Sequence, residues 1–298
     1  MPKKILFIPG KNPKPEPGLH QDLLQRSLLE GVRRHSAQTA NEIEQQQAFE
    51  LCAWNYAFYS EHMDFSEHIP HVEKLLKKQR ASVQDKLCAK TWKIRLSRLI
   101  YQTGDQFPWL IDFLADEHVK ALLEGSMQYF DNHDGRAEEA RSILRACLMP
   151  YLQGDHKLLI VAHSLGSIIA YDTLYQISQL DRSAKHIDTL LTIGSPLGLK
   201  YTQQRLLAYS KTDIEQVPSN IRRWQNVSAR GDLVSVDKTL ADDFSLMTEA
   251  GLLEELTDHS KGVYHWYKSP LGYNFHSSYG YLVGPVTSNI ICQWWQNN

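Results

Sequence analysis

Leu158-Leu159-Ile160-Val161-Ala162-His163-Ser164-Leu165-Gly166-Ser167 is the stretch that decides the fold. Four apolar residues read as a buried strand, and the apolar run from Ser167 to Leu180 reads as a helix. Between them sits a serine with small residues two positions before it (Ala162) and two after (Gly166). A strand, a sharp turn carrying Ser and a helix form the context of a nucleophile elbow, where backbone strain demands small neighbours. A five-residue pattern of this kind is weak alone, so its weight depends on what the rest of the chain supplies.

Further runs extend the same alternation. Lys4 to Ile8 is a short strand closed by Pro9-Gly10, and residues 11–18, with Pro13, Pro15 and Pro17, form a loop. Leu19, Leu23, Leu24, Leu28 and Val32 have helical spacing, predicting an amphipathic helix over 19–35. Strands are expected at 49–56, 158–161, 189–193 and 224–228. Strands alternating with helical runs imply βαβ units, hence an α/β fold with a mostly parallel sheet flanked by helices. In such sheets ligands bind beyond the carboxyl ends of the strands. The loops after Ile8, Val161, Ile193 and Ser228 all lie at that edge.

Composition sets the outer bounds. The chain has 298 residues, 42% hydrophobic and 22% charged, with net charge −2. These are the values of a globular protein, and they give no overall attraction to nucleic acid. The apolar run Ile5–Ile8 is too short for a signal-peptide core, and no run approaches the ~18 residues of a spanning helix. Cys52, Cys88, Cys147 and Cys292 are scattered, with no CxxC pair, which reads as buried free thiols in a reducing compartment. The expectation is a cytoplasmic protein.

The elbow then calls for partners. A Ser hydroxyl needs a base within hydrogen-bond reach, and the base needs an orienting carboxylate. Asp232, directly after the strand at 224–228, is the candidate acid. Asp172 lies too far into the helix after Ser164, and Asp237 and Asp242 lie farther from the strand end. His276 is the candidate base, with His259 and His265 as rivals. The chain order Ser164, Asp232, His276 is the one expected of an α/β-hydrolase. The oxyanion of acyl transfer needs two N–H donors: the backbone N–H of Leu165, and a second at Gly10 or Lys11 after the first strand.

On these residues the chain resembles a serine hydrolase of the α/β-hydrolase fold, nearest to bacterial lipase- or esterase-like members. The resemblance rests on Ile8-Pro9-Gly10, Val161 to Ala170, Thr192 to Gly198, Gly231 to Val234, and His276 followed by Tyr279. Ala162 stands where that family more often has Gly, and Pro9-Gly10-Lys11 replaces its usual HG or HGGG loop. The resemblance implies cleavage of an ester, thioester or amide through an acyl-enzyme, without cofactor or metal. Carboxylic esters, with lipid-like or medium acyl chains, fit it best. The alternatives are a catalytically silent fold of this type that binds lipid or protein, and an effector hydrolase directed at phospholipid.

The remainder, about 60–130, reads as a helical cap inserted within a single domain of 1–298, with Arg136 to Leu152 as the crossover helix behind it. Phe107, Trp109, Leu110, Phe113 and Leu114 could line an acyl pocket or join cap to body. Lys74–Arg98 holds nine Lys or Arg and one Asp, Asp85. It reads as a solvated face, with peripheral contact to an anionic surface as the second reading. The acidic residues from Asp242 to Asp258 could pair with it. His62, His68 and His71 match no zinc spacing, and Asp131 to Gly135 lacks the ligand set of an EF-hand, so it reads as a helix cap.

Overall fold

The computed structural model describes residues 1–59, 61–91, 129–132, 134–180, 186–208, 217–235 and 237–298. Six parallel strands form one sheet in the order β2-β1-β3-β4-β5-β6. They are β1 Lys3–Ile8, β2 Phe49–Leu51, β3 Lys157–His163, β4 Ile187–Ile193, β5 Ile221–Val227 and β6 Glu255–His259. The strand carrying the serine, β3, lies at the centre between β1 and β4.

Alternation along β3 divides the core. Leu159 and Val161 point into one apolar layer, with Ile5, Phe7 and the helices Pro17–Arg33, Ala37–Gln45 and Pro285–Asn297. Leu158, Ile160 and Ala162 point into the other, against the helices Arg136–Gln153 and Leu165–Leu180. Both faces are covered, so the central strands are apolar on both sides and read in the sequence as continuous runs.

The amphipathic helix expected at 19–35 runs from Pro17 to Arg33, with the Glu16 side chain accepting the Leu19 N–H at its start. The crossover helix expected at 136–152 ends one residue later. The strand expected at 49–56 is shorter. It ends at Leu51, and a 3₁₀ turn follows at Trp54–Ala57. The turn brings the Trp54 indole back to donate to the Pro9 carbonyl at 2.8 Å, which caps the loop after β1. β6 went unpredicted because Glu255-Leu256-Thr257-Asp258-His259 has no apolar run; as an edge strand it buries none of its residues fully.

Several other expectations resolve here. Glu254 pairs with Arg222 and Arg223, and Asp258 accepts the Leu240 and Ala241 N–H groups, so these acids serve their own neighbourhood rather than the basic segment. Asn132 and Asp134 cap the following helix, accepting the Ala137 and Arg136 N–H groups. Cys52 and Cys292 are buried, whereas Cys88 and Cys147 are half-buried. No described helix is long and apolar enough to cross a membrane. The proposed pocket residues at 107–114, and the basic residues from 93 onward, lie outside the described residues.

Two helices close the chain over its first elements. Ser278–Val283 and Pro285–Asn297 pack on Pro17–Arg33, so closely that a Cβ added at Gly31 would stand 2.5 Å from the Leu282 carbonyl oxygen. Lys3 donates to the Trp295 carbonyl. Trp295 donates to Glu42 at 2.8 Å.

Ile160 has no exposed surface and sits mid-strand between the core helices. Ile160→Ala is expected to lower the unfolding free energy by about 2–5 kcal/mol. Urea denaturation checks this; a change below 1 kcal/mol would contradict the packing described.

Candidate active site

Ser164 follows β3 directly and takes a left-handed conformation, φ +55°. Such a backbone is costly for a residue with a side chain and persists only where its surroundings fix it. Three contacts do so. The Ser164 N–H donates to the Ile193 carbonyl at 3.2 Å. The Ser164 carbonyl accepts from Ser167 Oγ at 2.6 Å, and Ser167 Oγ in turn meets Ser195 Oγ at 2.7 Å. Glycine supplies the space: a Cβ at Gly166 would lie 2.5 Å from the Pro9 oxygen, and one at Gly10 only 2.8 Å from Ser164 Cβ.

The geometry brings the three residues picked from the sequence together. Ser164 Oγ lies 2.8 Å from His276 Nε2. His276 Nδ1 lies 3.0 and 3.1 Å from the two oxygens of Asp232. Asp232 is fully enclosed, yet its carboxyl is held far below the usual carboxylate range. Burial alone would raise it; the facing His276 imidazole, the Tyr281 hydroxyl and the Val234 N–H together outweigh burial. Tyr281 Oη donates to Asp232 at 2.6 Å while accepting the Ala229 N–H at 2.8 Å. Val234 N–H donates to the other oxygen at 2.8 Å.

His163 holds His276 from the far side. Its Nε2 donates to the His276 carbonyl at 2.8 Å, and the two rings lie 4.6 Å apart. Burial keeps His163 well below its ordinary pKa, with the nearby His276 and Lys14 adding to the effect. It is neutral at pH 7, which leaves one ring N–H for that donation.

The Leu165 N–H opens the helix Leu165–Leu180, and neither it nor the Gly10 N–H donates to an acceptor among the described residues. Gly10, Lys11 and Leu165 all line a pocket of about 260 Å³ that opens onto Ser164 and His276.

The rivals lie elsewhere. His265 is buried, its Nε2 bonded to the Phe275 carbonyl at 2.7 Å, and His259 bonds Gln225 on the sheet at 2.7 Å. Asp172 is buried against Tyr129, which donates to it at 2.8 Å. His68 stacks on Phe65 and lines the pocket. No group of metal-ligating residues occurs among the described residues. Sequence reasoning missed His163, Tyr281 and Ser195. Ser195 lies in the Thr192–Gly198 stretch and His163 at the position of the elbow that precedes the serine, where its type carried no reading; Tyr281 is unmarked by any motif.

No protein-family model matches the chain, and no curated protein or solved structure matches it either.

Three buried histidines make folding acid-sensitive. Burial lowers His20 to about 3 and His265 to about 4, and holds His163 well below its ordinary value. In the unfolded chain each takes a proton near pH 6.5. The unfolded state then binds more protons, so stability is full above that value and is lost as pH falls below it. The loss is about 1.4 kcal/mol per pH unit for each group. His265→Gln is expected to make the slope shallower by about one proton between pH 6 and 5. Urea unfolding across that range would show it, and an unchanged slope would mean that His265 is not held neutral.

Proposed function

We propose that this chain is a serine hydrolase that cleaves a carboxylic ester through an acyl-enzyme. The observation that carries the reading is the continuous hydrogen-bonded relay from Ser164 through His276 to the buried Asp232. A serine hydroxyl is a weak nucleophile at neutral pH, and a base 2.8 Å away is what turns it into a reactive one.

Ser164 Oγ adds to the ester carbonyl carbon as His276 Nε2 takes its proton. Asp232 stabilises the imidazolium and fixes which ring nitrogen faces Ser164. The Leu165 N–H, with a second N–H from Gly10 or Lys11, holds the oxyanion of the tetrahedral intermediate. Collapse releases the alcohol, which receives the proton from His276. Water then enters, loses a proton to His276 and adds to the acyl carbon; as the acyl-serine bond breaks, His276 returns that proton to Ser164 Oγ and the acid departs.

Labelling by a neutral fluorophosphonate and hydrolysis of p-nitrophenyl butyrate test this directly. Ser164→Ala is expected to remove both. Asp232→Asn is expected to lower kcat by about 10⁴-fold, by letting the imidazole adopt the wrong tautomer. Wild-type protein that is folded and yet neither labels nor turns over would end the proposal.

The steric clamp gives a separate prediction. Gly10→Val places its Cβ within 2.8 Å of Ser164 Cβ and 2.9 Å of His163 Nδ1. A shift of the nucleophile by about 1 Å costs on the order of 100-fold in rate. The labelling rate of Ser164 should fall by that order, and an unchanged rate would remove Gly10 from the site.

A further inference from the structure

We propose that the ester taken by this site carries an anionic group, a carboxylate or a phosphate, which the Lys14 ammonium receives with His20 beside it. The inference rests on the hydrolase reading and names its substrate class.

The charge of the pocket is one-sided. Lys11 and Lys14 line it beside the neutral rings of His20 and His163, and no Asp or Glu among the described residues does. Lys14 stands on the proline-bracketed stretch Pro13-Lys14-Pro15, where two fixed φ angles hold the backbone. Its ammonium has three N–H donors. One goes to the Lys11 carbonyl at 2.9 Å, and no carboxylate among the described residues pairs with it. Burial lowers this group to about 8, and no anion among the described residues raises it again. A half-buried cation with no carboxylate partner among the described residues is costly to the fold, and such groups gather at functional sites.

Two neighbours locate the ammonium. Its charge is felt by His20 and by His163, the residue before the nucleophile. Lys14 therefore stands within electrostatic reach of the reacting centre. His20 is an independent sign of a missing ligand: it is only 2% exposed, it lines the pocket, and its Nδ1 has no hydrogen-bond partner. Burial keeps His20 neutral. It thus offers a hydrogen bond next to the cation and no second charge. An anionic oxygen satisfies the spare donors of Lys14 and the open ring nitrogen of His20, whereas an alkyl chain offers a partner to neither.

Size narrows the class. At about 260 Å³ the cavity falls below the ~300–1,000 Å³ usual for drug-sized ligands. A short ester with an anionic end fits it better than a long neutral acyl chain.

Two assays test the proposal. In the first, kcat/KM is compared for the p-nitrophenyl monoester of glutaric acid and for p-nitrophenyl butyrate. Wild-type protein is expected to favour the anionic ester at least tenfold, Lys14→Met to lower that ratio at least tenfold, and Lys14→Arg to restore part of it. A ratio near one in the wild type overturns the inference. So does a Lys14→Met variant that slows both esters equally, since Lys14 would then serve the oxyanion or the loop.

The second assay needs no turnover. Calorimetry on Ser164→Ala measures binding of glutarate, butyl phosphate and butyramide. Both anions, or one of them, should bind, butyramide should not, and Lys14→Met in the same background should abolish binding. The tighter anion distinguishes carboxylate from phosphate. Anion binding without fluorophosphonate labelling of wild-type protein would sink the hydrolase reading and keep the anion site. Labelling without anion binding would do the reverse.

Discussion

Everything at the pocket depends on one strained residue. Ser164 leaves β3 in a left-handed turn, and that turn lifts its hydroxyl out of the sheet towards His276. Strain of this kind costs on the order of 1–3 kcal/mol and must be opposed by the surroundings. Here the opposition is steric and polar at once. Gly10 and Gly166 leave room where any side chain would collide, while Ile193, Ser167 and Ser195 hold the backbone by hydrogen bonds. The loops after β1, β3 and β4 are thus mutually dependent: relaxing any one frees the turn.

The second constraint is a buried charge. Asp232 stays ionised in a dry place because His276, Tyr281 and Val234 all bond to it. Gly194, with φ +57°, permits this crowding, since a Cβ there would meet an Asp232 oxygen at 2.9 Å. His276 is held twice, by Asp232 through its ring and by His163 through its backbone. An imidazole fixed at both ends has little freedom to lose, and on the hydrolase reading proposed above that is the preorganisation that charge-developing chemistry needs.

The sequence shows the centre of this structure clearly and its margins poorly, for physical reasons. β1, β3 and β4 are buried on both faces, so each is an unbroken apolar run. Ser164, Asp232 and His276 were legible because they sit at strand ends or in motif-like stretches in a fixed order. β6 was illegible because an edge strand carries no apolar run. β2 was read too long because Trp54, apolar and aromatic, looks like strand while its indole bonds back to Pro9. His163 and Tyr281 act through partners more than 40 residues away, and no local pattern encodes such a contact. Lys14 looked like loop, since its isolation from carboxylates is visible only in three dimensions.

The closing helices have a consequence for the order in which the chain becomes chemically competent. Ser164 and His276 are separated by 112 positions, and the helices that follow His276 rest on elements from the first fifty residues. Contacts so distant in sequence form late, after loop-closure entropy has been overcome. The place of His276 beside Ser164 therefore depends on the docking of residues 278–297 on the helix Pro17–Arg33. A chain emerging during synthesis, or one opened at its C-terminal helices, therefore carries an ordinary alcohol at position 164. On the hydrolase reading proposed above, reactivity is a property of the finished topology, because Ser164 and His276 meet only when segments 112 positions apart are both in place.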